Sequence, residues 1–280
     1  MPRGTGRHGR REDGTAQAAP PGARTASRHT GRPRPTPRLA STTLKHVIEH
    51  VNQLGPTAPV SGPAPTPAAP VVWALNTTVD TVGGHRVADA DSVLDAEERD
   101  RAARFHTPDL AHRYAASHIA LRILLGLHLD RPPHTVRLTR EDCPCCGAPH
   151  GRPNIPGNPV HFSLSHSGDH AYIALATTPV GVDIEEHPTP QTLTDVMHLL
   201  HPAETQELTA LPASERVTAL ARCWARKEAC LKAAGTGLAN GLAEPYVGVL
   251  TRPAAVPGYQ LTDLPAPSRY RAALATATTP

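Results

Sequence analysis

Long apolar runs are missing from this 280-residue chain. No stretch of about 18 apolar residues could cross a membrane as a helix, and no apolar run near the N-terminus suits a signal peptide. Both absences point to a cytoplasmic protein without a membrane anchor. Cysteine is scarce too. Of the five cysteines, three cluster in CPCC (143–146), while Cys223 and Cys230 lie within a helical pattern, which excludes a disulfide framework. Aromatics make up only 3%, and none interleaves the basic residues near the N-terminus, so the stacking platform of a nucleic-acid binder is lacking. No phosphate-binding P-loop occurs, and the glycines of GTGLANG (235–241) follow a helical pattern instead of a strand, so they form no dinucleotide fingerprint. Ser165 and His166 would be strand neighbours on opposite faces, which rules out a Ser-His-Asp triad built on them.

Charge and proline are present in quantity but unevenly spread. Residues 1–40 hold nine of the 28 basic residues, against two acids, Glu12 and Asp13. The remainder of the chain is net acidic, so the basic character belongs to the N-terminal stretch. With almost no bulky apolar side chain, that stretch cannot offset its chain entropy by burial, which predicts disorder. STTLKHVIEHVNQLG (41–55) aligns Leu44, Val47, Ile48, Val51 and Leu54 on one face and predicts a short amphipathic helix. Its HVIEH (46–50) has the spacing of a zinc-protease helix, but nothing around it supplies a third ligand or a cleft. SGPAPTPAAP (61–70) reads as a linker, so 1–70 is expected to be a basic, proline-rich extension.

The folded body is expected to follow as an α+β architecture. VVWALNTTV (71–79), VHFSLSHS (160–167), AYIALATT (171–178) and GVDIE (181–185) read as strands, with Gly168-Asp169 as a hairpin turn. LDAEERDRAARF (94–105), AHRYAASHIALRILLGLHL (111–129), TLTDVMHLL (192–200), AETQELTAL (203–211) and ERVTALARCWARKEACLKAAG (215–235) read as helices, the last with Gly235 as a left-handed cap. YVGVLT (246–251), GYQLTDL (258–264) and YRAALAT (270–276) read as closing strands. The absence of a βαβ rhythm predicts antiparallel sheets, and two halves, 71–177 and 178–280, have similar make-up.

In GVDIE the strand period puts Asp183 and Glu185 on one face, with Ile184 turned to the core. The pair is either a solvated strand end or half of a hard-cation site, since oxygen ligands of this kind suit Mg²⁺ together with phosphates. Glu228 and Lys232 share a face of the 215–235 helix, an ordinary i,i+4 pair taken alone. Three acids, a lysine, Ser165-His166-Ser167 and arginines on two upstream helices form a collection suited to a ligand with several phosphates. Arg113 and Arg122 are either phosphate contacts or helix-border pairs; Trp224 reads as packing, and Lys227 as facing solvent. CPCC with His150 could bind zinc or act in redox chemistry, but four ligands within eight residues would be cramped, and an ordinary loop is the expectation.

FSLSHS (162–167), GVDIE (181–185) and WARKEACLKAAGTGL (224–238) resemble, in order and spacing, the motifs of the surfactin-type 4′-phosphopantetheinyl transferases. PHGRP (149–153) resembles that family's Gly-Lys-Pro element, and RAARFHTPDLAHRY (101–114) its basic helix. The resemblance implies a two-lobed monomer, each lobe a small antiparallel sheet packed with helices and the two related by a pseudo-twofold. It implies coenzyme A in the cleft and Mg²⁺-dependent transfer of its phosphopantetheine arm to a serine of an acyl or peptidyl carrier protein, releasing adenosine 3′,5′-bisphosphate. Carriers of polyketide or nonribosomal peptide synthases are the implied partners; an idle coenzyme A or carrier-protein binder is the alternative.

Residue by residue, the resemblance assigns Asp183, Glu185 and Glu228 to the metal, with Glu228 also as base. Lys232 and His166 contact the phosphates, and Ser165, Arg152 and Arg101 the ribose 3′-phosphate. Gly151 and Pro153 shape the backbone against the adenine. Glu98 stands where relatives often carry a lysine, which implies a 3′-phosphate grip that is either weaker or borne by Arg101 and Arg104.

Overall fold

The computed structural model describes residues 51–57, 62–66, 69–237 and 241–278. In chain order the elements are β1 (Asn52–Gln53), β2 (Val71–Asn76), β3 (Thr81–Val82), β4 (His85–Arg86), α1 (Ala96–Ala103), α2 (Pro108–Leu129), β5 (Thr139–Arg140), β6 (Pro153–Asn154), β7 (His161–Ser167), β8 (His170–Ala176), β9 (Val180–Glu186), α3 (Pro190–Val196), α4 (Pro202–Ala210), α5 (Ala213–Ala234), β10 (Tyr259–Leu264) and β11 (Tyr270–Ala277). Two small sheets carry the architecture, ordered β1-β2-β8-β7 and β10-β11-β9. All their pairings are antiparallel except β1 with β2.

Each sheet is packed with one 22-residue helix. On α2, Ile119, Leu124 and Leu125 are fully buried against Trp73, Leu75, Phe162 and Ile173. Each such aliphatic side chain contributes about 1.5–3 kcal/mol of burial free energy. The helix starts where the Thr107 hydroxyl accepts the Leu110 N–H, with Pro108 in the first turn, and stops at Asp130 in the left-handed region. On α5, Leu220, Cys223, Ala229 and Ala233 face Val247, Val249, Ala273 and Ala275. A third apolar cluster joins the sheets, setting Val72, Ala74, Tyr172 and Ala174 against Val182, Ile184, Ala272 and Leu274.

Two expected elements are replaced. Val51 to Gly55 continue no helix: Asn52–Gln53 pair in parallel with Trp73–Ala74, Leu54 donates to the Ala74 carbonyl, and Val51 and Leu54 are buried. Burial on the sheet overrides the helical spacing there, and the rest of the expected 41–55 helix, with HVIEH, lies outside the described residues. YVGVLT (246–251) forms no strand, because its backbone partners are side chains of α4 and α5. Val247 N–H donates to Glu204 and Val249 N–H to Glu207, while the carbonyls of Gly248 and Val249 accept from Arg226 and Arg222. The alternating valines are buried as expected; a sheet is not what buries them.

Candidate functional site

The site forms where β9 meets both β7 and α5. Gly181 sets the approach of the helix: a Cβ there would stand 2.0 Å from the Ala229 carbonyl oxygen and 2.6 Å from the Ala233 nitrogen. No side chain fits, so only glycine lets α5 close on the strand and bring Glu228 and Lys232 beside Asp183.

On the other side, β7 and β9 are joined through serine hydroxyls. The N–H groups of Val182, Ile184 and Glu186 donate to Ser163, Ser165 and Ser167 at 3.0, 3.4 and 3.1 Å. The alternate serines of FSLSHS thus satisfy one edge of β9 while its other edge pairs with β11. Ser165 is buried and also donates to Asp183 Oδ1 at 2.7 Å. Its hydroxyl is therefore engaged inside the protein, with Asp183 and the Ile184 N–H as its partners. Ser167, on the same grounds, does more than close a turn.

Asp183 is the buried centre. Lys232 Nζ donates to its Oδ1 at 2.6 Å and to the Val182 carbonyl at 3.3 Å, whereas Oδ2 is buried without a hydrogen-bond partner. Burial pushes the Asp183 carboxyl up, against the opposing pull of Lys232. Glu185 and Glu228 are half-buried and, among the described residues, their carboxylates make no hydrogen bond or ion pair. Burial, then the charge of Asp183, pushes Glu185 up to about 8, with Glu228 adding to the rise and Lys232 opposing it. Glu228 is raised by burial and by Asp183. The three carboxylates therefore face one another closely enough to repel, as expected, although their oxygens do not all come within 4.8 Å of one another.

An orphaned buried oxygen and two unpaired, mutually repelling carboxylates form a hard-oxygen donor set that a small divalent cation would satisfy. The residues fit Mg²⁺.

The remaining candidates divide. His166 is exposed on the opposite face of β7 from Ser165, and its surroundings, followed by His118 and Lys232, hold it below the usual histidine value. Arg152 donates from Nε to Glu141 and from Nη1 to the Ala233 carbonyl, each at 2.7 Å, tying the PHGRP loop to the C-terminal turn of α5. Pro153 lines a shallow hollow with Arg152, His161, Phe162 and Val180. Gly151 is where that loop folds back on itself: a Cβ would stand 2.6 Å from the Glu141 carbonyl oxygen. Arg101 on α1 and Arg104 just past its end are exposed, with the Arg101 guanidinium 5.9 Å from the Phe105 ring centre.

Glu98 points inward. It accepts His118 Nδ1 at 2.9 Å and Arg122 Nε at 2.5 Å and closes a capping box with Asp95, which also pairs with Arg122. Arg122 is thereby a core residue linking α1 to α2, not a phosphate contact, and Glu98 does not oppose a bound anion from the surface. Arg113 pairs with Asp169 at 2.6 Å.

Lys227, expected in solvent, is fully buried. It pairs with buried Glu204 at 2.7 Å and donates to the Pro245 carbonyl at 2.6 Å. Its position one turn after Cys223 and one before Leu231, both buried, was the available signal. Trp224 packs against the apolar cluster between α5 and the β10-β11-β9 sheet, in keeping with its reading as a packing residue.

Among the described residues, no helix is long and apolar enough to cross a membrane. Residues 179–278 match the model of the 4′-phosphopantetheinyl transferase superfamily. The chain is 30% identical over 178 residues to a Synechocystis protein named "Putative 4′-phosphopantetheinyl transferase", covering 62% of this chain and 68% of that protein. It is 27% identical over 148 residues to the 4′-phosphopantetheinyl transferase Sfp of Bacillus subtilis and 31% identical over 157 residues to HetI of Nostoc. These alignments cover 52% and 55% of this chain, and 62% and 65% of those proteins. The chain belongs to the 4′-phosphopantetheinyl transferase superfamily and is a transferase of the Sfp type.

Proposed function

We propose that this transferase moves the phosphopantetheine arm of coenzyme A to a carrier-protein serine at the β7-β9-α5 junction, with Asp183, Glu185 and Glu228 as the Mg²⁺ ligands. The observation that carries the reading is the buried, partnerless Asp183 Oδ2 beside two unpaired glutamates. When bound, the ion offsets charge on the pyrophosphate.

The chain's own residues have separate tasks. Lys232 already holds Asp183 and stands at the site as a cation for a phosphate oxygen. Glu228, with its raised carboxyl, is placed to orient and accept the proton of the incoming serine hydroxyl. His166, exposed beside Lys232, donates to the coenzyme phosphates. The Arg152–Pro153 wall receives the adenosine end, with Arg101 and Arg104 as exposed cations for its 3′-phosphate. Ser165 acts at one remove, fixing Asp183.

Carriers of polyketide or nonribosomal peptide synthases are the proposed partners, served by a cytoplasmic monomer. An idle coenzyme A binder is disfavoured because the three acids and Lys232 are all in place. The direct test incubates several apo-carrier proteins with the full chain, coenzyme A and Mg²⁺ and weighs the carriers. A mass gain of one phosphopantetheine arm is expected, and no gain with any carrier contradicts the reading.

A further inference from the structure

The loop of CPCC and His150 folds as a claw. The Sγ atoms of Cys143 and Cys146 and a ring nitrogen of His150 all lie within 4.8 Å of one another, and among the described residues no other group of His, Cys, Asp and Glu converges so closely. His150 Nε2 stands 3.0 Å from Cys146 Sγ. Around a tetrahedral zinc, with Zn–S near 2.3 Å and Zn–N near 2.0 Å, neighbouring ligand atoms stand about 3.5–3.8 Å apart. At its one hydrogen-bonded edge the claw is about half an ångström tighter than that spacing.

The backbone is shaped for a metal-bound sulfur. Cys143 is buried and receives the N–H groups of Cys145 and Cys146 at its sulfur, while Pro144 between them has no N–H to offer. Gly147, at φ 73°, turns the chain so that its N–H reaches the Cys143 carbonyl at 2.7 Å. The N–H groups of Cys143 and His150 both donate to the Ala148 carbonyl at 2.8 Å, which brings His150 back over the two sulfurs. No disulfide joins any of the five cysteines, so none competes for Cys143 or Cys146.

We propose that Cys143, Cys146 and His150 bind a zinc ion, with water or Cys145 at the fourth corner, and that this ion fixes the loop presenting Gly151, Arg152 and Pro153. The crowding expected of so short a span is met because the tight turn at Gly147 puts three of its side chains on one point. The loop buries little else: Pro144, Cys145, Cys146 and Pro149 are exposed, and its base is closed by the two-residue strands β5 and β6 and the Glu141–Arg152 pair beside them. A metal link across such a loop lowers the entropy lost on ordering it. The metal site stands independently of the proposed function; its effect on coenzyme A binding rests on that reading.

The test uses the full chain. Metal analysis after exhaustive dialysis should find about one zinc per chain, and cobalt added to the zinc-stripped protein should give thiolate charge-transfer and tetrahedral visible bands. Cys146→Ser and His150→Ala change exposed side chains, so the fold should survive, and both should lose the zinc and the cobalt bands. Cys223→Ser should keep both. Zinc absent from the wild type, zinc undiminished in both variants, or a Cys143–Cys146 disulfide in protein purified without reductant would overturn the site. With Mg²⁺ restored after stripping, the zinc-free enzyme should show a several-fold higher KM for coenzyme A at nearly unchanged kcat. An unchanged KM overturns the positioning role. Failure of transfer by the zinc-loaded protein counts against the proposed function alone, since zinc content is read separately.

Discussion

At the scale of single residues, buried charge is the recurring device, and it separates structural lysines from functional ones. Lys227 and Glu204 are both fully buried and hold the 243–249 segment, so breaking the pair leaves an uncompensated charge. Lys227→Met is expected to lower unfolding free energy by about 3–5 kcal/mol in chemical denaturation. The double variant Lys227→Met/Glu204→Gln should recover much of that loss, because glutamine still accepts the Val247 N–H. If the double variant is no more stable than the single one, the pair is not the source of the effect. Lys232 is different: it is partly exposed and its partner is the site carboxylate. These roles were only half legible in the chain. The alternation in GVDIE put Asp183 and Glu185 on one face, and helical spacing set Lys227 between Cys223 and Leu231, but nothing in the pattern named Glu204 as the partner that lets a lysine turn inward there. Nor could a strand pattern show that Ser163, Ser165 and Ser167 stand in for a backbone ladder.

At the scale of elements, close approach decides the geometry. Gly181→Ala is expected to push α5 off β9, costing about 1–3 kcal/mol or more from overpacking, and to cut transfer far more than stability alone explains. Stability by denaturant and transfer rate at a temperature where the variant is folded would separate the two, and wild-type transfer by folded Gly181→Ala contradicts the argument. The α1-α2 junction adds a pH signature. Burial raises Glu98, but the hydrogen bond and charge of His118, then Arg122, outweigh it and hold the carboxyl below its ordinary value. A depressed carboxylate stabilises the fold above its unfolded pKa and loses that contribution as pH falls through its folded value. Unfolding free energy should therefore fall with acidification from about pH 4.3 downward. Glu98→Gln should be less stable at neutral pH and flatten that slope; an unaltered slope would show that other groups carry it. Long periodic helices such as α2 and α5 could be read directly from the chain, as could the β7-β8 hairpin. The short pieces could not, because β1 and the 246–251 segment are specified by neighbours distant in sequence.

At the scale of the whole molecule, two sheets, each backed by a long helix, meet across a shared apolar cluster, and the site lies where their β7 and β9 edges touch. The α+β class follows from the order of elements, whereas the start of the folded body does not. Asn52–Gln53 belong to the first sheet although a proline-rich stretch separates them from β2. A chain lacking residues 1–50 is accordingly expected to keep transfer activity and stability, whereas removing 1–70 strips β1 and the buried Val51 and Leu54 and should lower the melting temperature. Equal melting temperatures for the two truncations would show that β1 adds nothing.

The proposal that Asp183, Glu185 and Glu228 share one cation is tested most directly by following transfer to an apo-carrier protein as a function of Mg²⁺, for the wild type and for Asp183→Asn, Glu185→Gln and Glu228→Gln. The wild type should modify the carrier only when Mg²⁺ is present, and each variant should lose on the order of 100-fold or more in rate while remaining folded. Transfer by the wild type in excess chelator, or near-wild-type rates in the folded variants, would contradict it.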